Sequence, residues 1–197
     1  MKIGILSIQG DTRENEMAVE CALQEMNLDG KAMPVKTAKE IDCVDALVLP
    51  GGESTTIGTM CQEDGLLGII KDKIDSGMPV LGICAGLVLL SGAVSDKVTG
   101  MTQQPLLQAL DVTLERNSFG RQIYSFEKEI SLDAIGIPRF NGVFIRAPTI
   151  SEAKNTEILS RIDQNITAVK KDKIIATAFH PELAGDTSVH KYFIGLI

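Results

Sequence analysis

MPVLGICAGLVLLSGA, residues 78–93, decides how the chain is read. Residues 78–83 form a short apolar run behind the breaker Gly77, the pattern of a buried parallel strand, and Ala85–Leu90 continues as an apolar helix. Cys84 falls at the junction, between Gly82 and Gly86. Glycines on both sides let the backbone bend tightly and let the helix pack close, so a G-x-C-x-G elbow can hold a thiol outward. A helix N-terminus favours negative charge and so promotes the thiolate. On this stretch alone Cys84 is equally readable as a nucleophile and as the small buried hydrophobe that free cysteine commonly is.

Outward from the elbow, strands and helices alternate. Residues 2–8 read as a strand, Gly10-Asp11-Thr12 as a turn with cap-type residues, and 13–26 as a helix whose apolar stripe includes Ala18, Cys21 and Ala22. Residues 31–35 form a second strand, 37–41 a short helix with a Thr-x-x-Glu capping signature, and 46–49 a third strand. That strand runs into LPGGESTT, residues 49–56, a glycine loop in which Ser54 or Thr55 can cap the next helix. Residues 66–76 make a helix ending at Gly77. This alternation predicts a mostly parallel central sheet with helices on both faces. After Met101 the pattern becomes β-rich, with a strand at 142–147, a hairpin of 166–171 with 174–179, and a final helix at 188–196.

Composition narrows the function. The 197 residues, 44% hydrophobic, with no linker, internal repeat or low-complexity tract, suit one domain spanning 1–197. A net charge of -7 without a basic stripe argues against a nucleic-acid surface. No segment has the form of a signal peptide or a membrane span, and Cys21, Cys43, Cys61 and Cys84 are too scattered for a zinc knuckle or a disulfide framework. A cytoplasmic protein with reduced thiols is expected, with Cys21 in the core and Cys43 and Cys61 structural. The PGG loop is no phosphate loop, because GxxxxGK[ST] is absent and Glu53 would repel phosphate.

Only two histidines occur, and His180 ends an apolar strand in AFHPE, residues 178–182, whereas His190 lies in the last helix. Pro181 biases His180 toward extended backbone, which would let Glu182 reach the imidazole. Cys84, His180 and Glu182 then supply nucleophile, proton shuttle and orienter for acyl transfer. The oxyanion hole would be the N–H of Ala85 with that of Gly51 or Gly52. Arg116 and Arg121 flank an Asn-Ser-Phe-Gly turn and are either solvated charges or clamps for a carboxylate.

With GICAG and HPE in place, the chain resembles the class I, triad-type glutamine amidotransferases. LSIQGD at 6–11, LPGGEST at 49–55, RNSFGRQ at 116–122 and IRAP at 145–148 make it similar to one branch of them, the PdxT family of glutaminase subunits of pyridoxal 5′-phosphate synthase. The resemblance covers nearly the whole chain. It implies a class I glutamine amidotransferase-like α/β fold and hydrolysis of L-glutamine to glutamate and ammonia through a glutamyl thioester on Cys84, with His180 and Glu182. It implies L-glutamine binding by Gly51, Gly52, Glu53, Arg116, Ile145 and Arg146, with Glu53 suited to the α-ammonium. No cofactor or metal is implied. The implied partner is a PdxS-type (β/α)8 barrel synthase subunit that receives the ammonia in a hetero-oligomer and activates the glutaminase by ordering the Gly51-Gly52 loop. An amidotransferase of histidine or purine synthesis, and a non-enzymatic module with Cys84 as a redox sensor, are the competing readings.

Overall fold

The computed structural model describes residues 1–96, 100–116 and 125–197. In chain order, β1 (Lys2–Leu6), α1 (Thr12–Glu25), β2 (Lys31–Val35), α2 (Ala38–Asp42), β3 (Ala46–Leu49), α3 (Ser54–Glu63), α4 (Leu66–Asp75), β4 (Val80–Ile83) and α5 (Ala85–Leu90) form the α/β half. Then follow β5 (Ala93–Asp96), β6 (Gly100–Met101), β7 (Val112–Arg116), β8 (Ser125–Leu132), β9 (Ile137–Ile145), β10 (Thr149–Ala153), β11 (Glu157–Ile162), β12 (Asn165–Lys171), β13 (Ile174–Thr177) and α6 (Ser188–Ile194).

The sheet runs β2-β1-β3-β4-β13-β12-β10-β7-β5-β6, with β11 added against β12. Its first five strands are all parallel, as expected, and β3, β4 and β13 are buried at every position, which is why each is a continuous apolar run. Beyond β13 the pairing is antiparallel except between β5 and β7, matching the change in sequence pattern after Met101. α1 packs with α6, while α3 packs with α4 and α5, and α2 with α4. β8 and β9 form a separate ribbon, which the Phe140 and Phe144 rings tie to Phe179 at centroid separations of 5.6 and 5.7 Å.

The expected 166–179 hairpin has a consequence the sequence pattern does not carry. β13 pairs antiparallel with β12, as the hairpin requires, and its other edge lies against β4 in parallel, with Ile174 opposite Val80 and Thr177 opposite Ile83. Two chain segments far apart in sequence therefore end side by side at the same carboxyl edge of the sheet. The helix at 37–41 forms as α2 with its capping box complete, Thr37 accepting from the Glu40 N–H and the Glu40 carboxylate from the Thr37 N–H.

Three local expectations change. Cys21 is exposed, because α1 turns Asn15, Val19, Ala22 and Leu23 inward. Cys43 is exposed as well, at the end of α2, whereas Cys61 is buried and burial pushes its thiol up to about 11. The strand expected at 142–147 is the end of the longer β9, which stops at Ile145 because Arg146 takes a positive φ of 44°.

Gly82 and Gly86 act as the elbow pattern requires. A Cβ on Gly82 would come within 2.4 Å of Leu90 Cδ1, and one on Gly86 within 2.0 Å of the Leu49 carbonyl oxygen. The glycines thus let α5 lie directly on β3 and β4. Gly86→Ala is expected to cost about 1–3 kcal/mol of stability by overpacking, read as a lower midpoint in urea unfolding, because the obstructing atom belongs to a central strand's backbone.

Candidate active site

Cys84 stands between β4 and α5 with φ 49° and ψ -94°, outside the helical and extended regions. Such a conformation in a residue with a Cβ costs on the order of 1–3 kcal/mol and persists only where its surroundings hold it. Here the Cys84 N–H donates to the Thr177 carbonyl at 2.8 Å, and the Val88 N–H donates to the Cys84 carbonyl at 3.1 Å. The elbow is thereby fastened to β13 on one side and to α5 on the other. Ala85 is the first residue of α5, so its N–H has no acceptor within the helix and is free for a developing anion.

His180 follows Thr177 by one short step, and its own N–H donates to the Val143 carbonyl of β9 at 2.8 Å. Its backbone is open (φ -101°, ψ 90°), as Pro181 biases it to be. Glu182 reaches the ring by a different route from the extended one expected: residues Pro181–Leu183 form a 3-10 turn, and the turn folds the carboxylate back. Glu182 Oε1 lies 2.6 Å from His180 Nδ1, with the Glu182 side chain fully buried. A second carboxylate shares that nitrogen, since Asp11 Oδ2 is 3.2 Å away.

The electrostatics follow from this crowding. Burial opposes charge on His180, but hydrogen bonds with Asp11, Cys84 and Glu182 outweigh it and push the imidazole up to about 12. Burial pushes Glu182 up to about 7, against the pull of His180 and with Asp11 reinforcing it. Burial also works on Asp11, yet its hydrogen bonds to His180 and Glu182 hold it down at about 2. The imidazole is thus held as a cation beside the thiol.

A cleft of about 400 Å³ opens over these groups, lined by Cys84, Ala85 and His180 together with Gly52, Glu53, Arg116, Ile145 and Arg146. That volume suits a small polar metabolite. Gly51 lies just behind, so close that a Cβ there would come within 2.5 Å of His180 Cε1. Gly52 has φ +149°, which favours glycine, and the Glu53 N–H that follows donates to Gln9 Oε1 at 2.8 Å.

Glu53 takes the capping role expected of Ser54 or Thr55. Its carboxylate accepts from the Thr55 and Thr56 N–H groups at 3.3 and 2.7 Å, because α3 begins one residue earlier than the hydroxyl pattern implies. Burial would raise its pKa, but the Thr56 and Thr55 donors and the Arg116 charge lower it. Arg116 lies 3.5 Å from Glu53 Oε1, so a cation and an anion sit side by side at the cleft. Arg121 and the rest of the RNSFGRQ motif, residues 117–122, lie outside the described residues.

Several residues of the site carry no sequence signal of their own. Gln104 is one: its Oε1 accepts from Arg116 Nη1 at 3.0 Å and from Thr55 Oγ1 at 3.2 Å, and its Nε2 donates to Ser54 Oγ at 3.3 Å. It sits in an irregular segment between strands, where nothing in the spacing marks it. Gln9 and Asp11 lie in the LSIQGD motif, which carried the resemblance but no role for either; their place at the cleft comes from β1 neighbouring β3 in the sheet.

A model of the SNO glutamine amidotransferase family matches residues 5–197. The chain belongs to this family. Among its relatives, the "Pyridoxal 5'-phosphate synthase subunit PdxT" of Nitrosopumilus maritimus (strain SCM1) is 53% identical over 197 residues, covering 100% of this chain and 96% of the relative. A protein of the same name from Saccharolobus islandicus is 42% identical over 198 residues, covering 100% and 99% of the two chains. A solved structure described as a glutamine amidotransferase superposes with a TM-score of 0.86 at 35% identity, covering 98% of this chain and 97% of that one. The fold is therefore that of a glutamine amidotransferase, as the elbow and its flanking motifs imply.

For a glutamine amidotransferase of this build, Gln104→Ala is expected to raise KM for glutamine about fivefold with kcat nearly unchanged. Loss of one hydrogen-bonding partner that holds Arg116 at the cleft is worth about 1 kcal/mol, and steady-state kinetics across a glutamine series reads it.

Proposed function

We propose that residues 1–197 work as one glutaminase unit that hydrolyses L-glutamine to L-glutamate and ammonia, with Cys84 as nucleophile, and that the ammonia serves pyridoxal 5′-phosphate synthesis. Membership of the glutamine amidotransferase family and full-length similarity to PdxT subunits support the activity and its destination. The observation that carries the residue roles is the meeting of Cys84, His180 and Glu182 at the ends of adjacent parallel strands, under a cleft that holds Glu53, Arg116 and Arg146.

Glutamine enters with its α-ammonium toward Glu53 and its α-carboxylate toward the arginines, which places the side-chain amide over Cys84. The thiolate attacks the amide carbon, a carbon–sulfur bond forms, and the carbonyl oxygen takes negative charge facing the N–H of Ala85 and of Gly51 or Gly52. Collapse of this intermediate breaks the carbon–nitrogen bond, and His180 gives its proton to the departing ammonia. Water then attacks the thioester, His180 takes up its proton, and glutamate leaves as the thiolate is restored. Glu182 keeps the ring oriented throughout.

The relatives are subunits of a synthase by name, so the ammonia has a partner subunit as its destination. We take that partner to be a PdxS-type (β/α)8 barrel, joined in a hetero-oligomer that orders the Gly51-Gly52 loop for catalysis. The compartment is the cytoplasm, in keeping with four free cysteines. Among the described residues no helix is long and apolar enough to cross a membrane.

Cys84→Ala is expected to lower glutamine hydrolysis by roughly 10³-fold or more while leaving the fold intact. Wild-type chain treated with a glutamine-like diazoketone should gain one label at Cys84 by mass spectrometry, and a label elsewhere would overturn the assignment. Ammonia release should rise when the barrel subunit is added; equal rates with and without it would refute the proposed activation.

A further inference from the structure

Asp11 has a place in the structure that its place in the sequence does not explain. As the residue preceding α1 it is the N-cap by position, yet its side chain caps nothing. The carboxylate instead turns to His180, with Oδ2 3.2 Å from Nδ1, the same nitrogen that Glu182 Oε1 meets at 2.6 Å. The reactive atoms of Asp11, His180 and Glu182 all lie within 4.8 Å of one another. Gly51 closes over the group, since a Cβ on it would fall 2.9 and 3.0 Å from the two Asp11 carboxylate oxygens.

This arrangement has one proton too few. Nδ1 carries a single hydrogen, while two carboxylates face it, and each has its other oxygen, Asp11 Oδ1 and Glu182 Oε2, buried without a donor. Two like charges so close, with so little water, disfavour each other, and the more deeply buried carboxyl is the one pushed toward its protonated form. We propose that Asp11 is a positioning residue of the glutaminase site, its carboxylate holding His180 Nδ1 jointly with that of Glu182. The inference rests on the triad reading given above.

The division of labour follows from exposure. Asp11 is the more solvated of the two, with 22% of its side chain exposed, and it keeps the negative charge, whereas the fully buried Glu182 keeps the proton. His180 therefore faces one formal carboxylate charge on that edge and the Cys84 thiol on the other. Below neutral pH the pair carries a single charge; as pH rises through about 7 Glu182 ionises, and the imidazolium becomes harder to deprotonate. No other titratable side chain contributes a hydrogen bond to His180 beyond Asp11, Cys84 and Glu182 among the described residues.

The test compares the full-length wild type with Asp11→Asn and Asp11→Ser. In each, the rate of Cys84 alkylation by iodoacetamide is followed from pH 5 to 9, and glutamine hydrolysis is followed alongside with the partner subunit present. Wild type should show an inflection near pH 7 in the alkylation profile. Burial, the largest cause of the raised Glu182, remains in Asp11→Asn, but the added push of the Asp11 charge is gone, so the inflection should move to the acid side, and kcat should fall about tenfold with KM for glutamine within twofold. Asp11→Ser, which keeps a short capping residue, should behave as Asp11→Asn. Variants with the wild-type inflection overturn the proposal, whether their rates are unchanged or uniformly lowered. Alkylation is read independently of turnover, so a wild type that hydrolyses no glutamine would refute the function while the profiles still decide the role of Asp11.

Discussion

One backbone hydrogen bond, from the Cys84 N–H to the Thr177 carbonyl, joins the two halves of the site. It extends the parallel pairing of β4 with β13 by one rung past the end of both strands. Through it the elbow that bears the thiol and the turn that bears the imidazole share a single frame. The strained backbone of Cys84 is tolerable because the same contact, the α5 helix behind it and the two flanking glycines leave no relaxed alternative within the packed core.

Around this frame the charges are arranged as neighbours that restrain each other. Glu53 caps α3, leans on Arg116 and faces the cleft; Arg116 in turn is held by Gln104. A zwitterionic amino acid can insert between anchors that are already in place, so little ordering remains to be done on binding. Deeper in, Asp11, His180 and Glu182 form a compact group in which burial decides which carboxyl carries charge.

Much of this was legible in the sequence where one local pattern sufficed. The elbow needed only glycines at fixed offsets around Cys84, and the capping box of α2 only Thr37 and Glu40. The strands of the parallel half were visible as short apolar runs because burial on both faces erases alternation. What stayed hidden depends on contacts between segments. Cys21 looked interior because a loose stripe on α1 admits two phases, and packing against the sheet chose the one with Val19 and Leu23. Glu53 displaced the hydroxyl residues as cap because the loop's entry angle set the helix start. Gln104 and Asp11 gain their partners only from tertiary neighbours, in the second case across most of the chain. The carbonyl-edge position of His180 needed the insertion of β13 beside β4, which no hairpin signal specifies.

That insertion also sets an order of events during synthesis. β4 and its cysteine leave the ribosome well before β13, so the central sheet waits with an open slot between β4 and the antiparallel flank. Until residues 174–183 arrive, the thiol has neither the His180 imidazole nor the carbonyl that holds its backbone. Long-range pairing of this kind makes folding slow, and it leaves Cys84 without its histidine neighbour until the last strand is in place. The fold thus ties the meeting of Cys84, His180 and Glu182 to completion of the sheet.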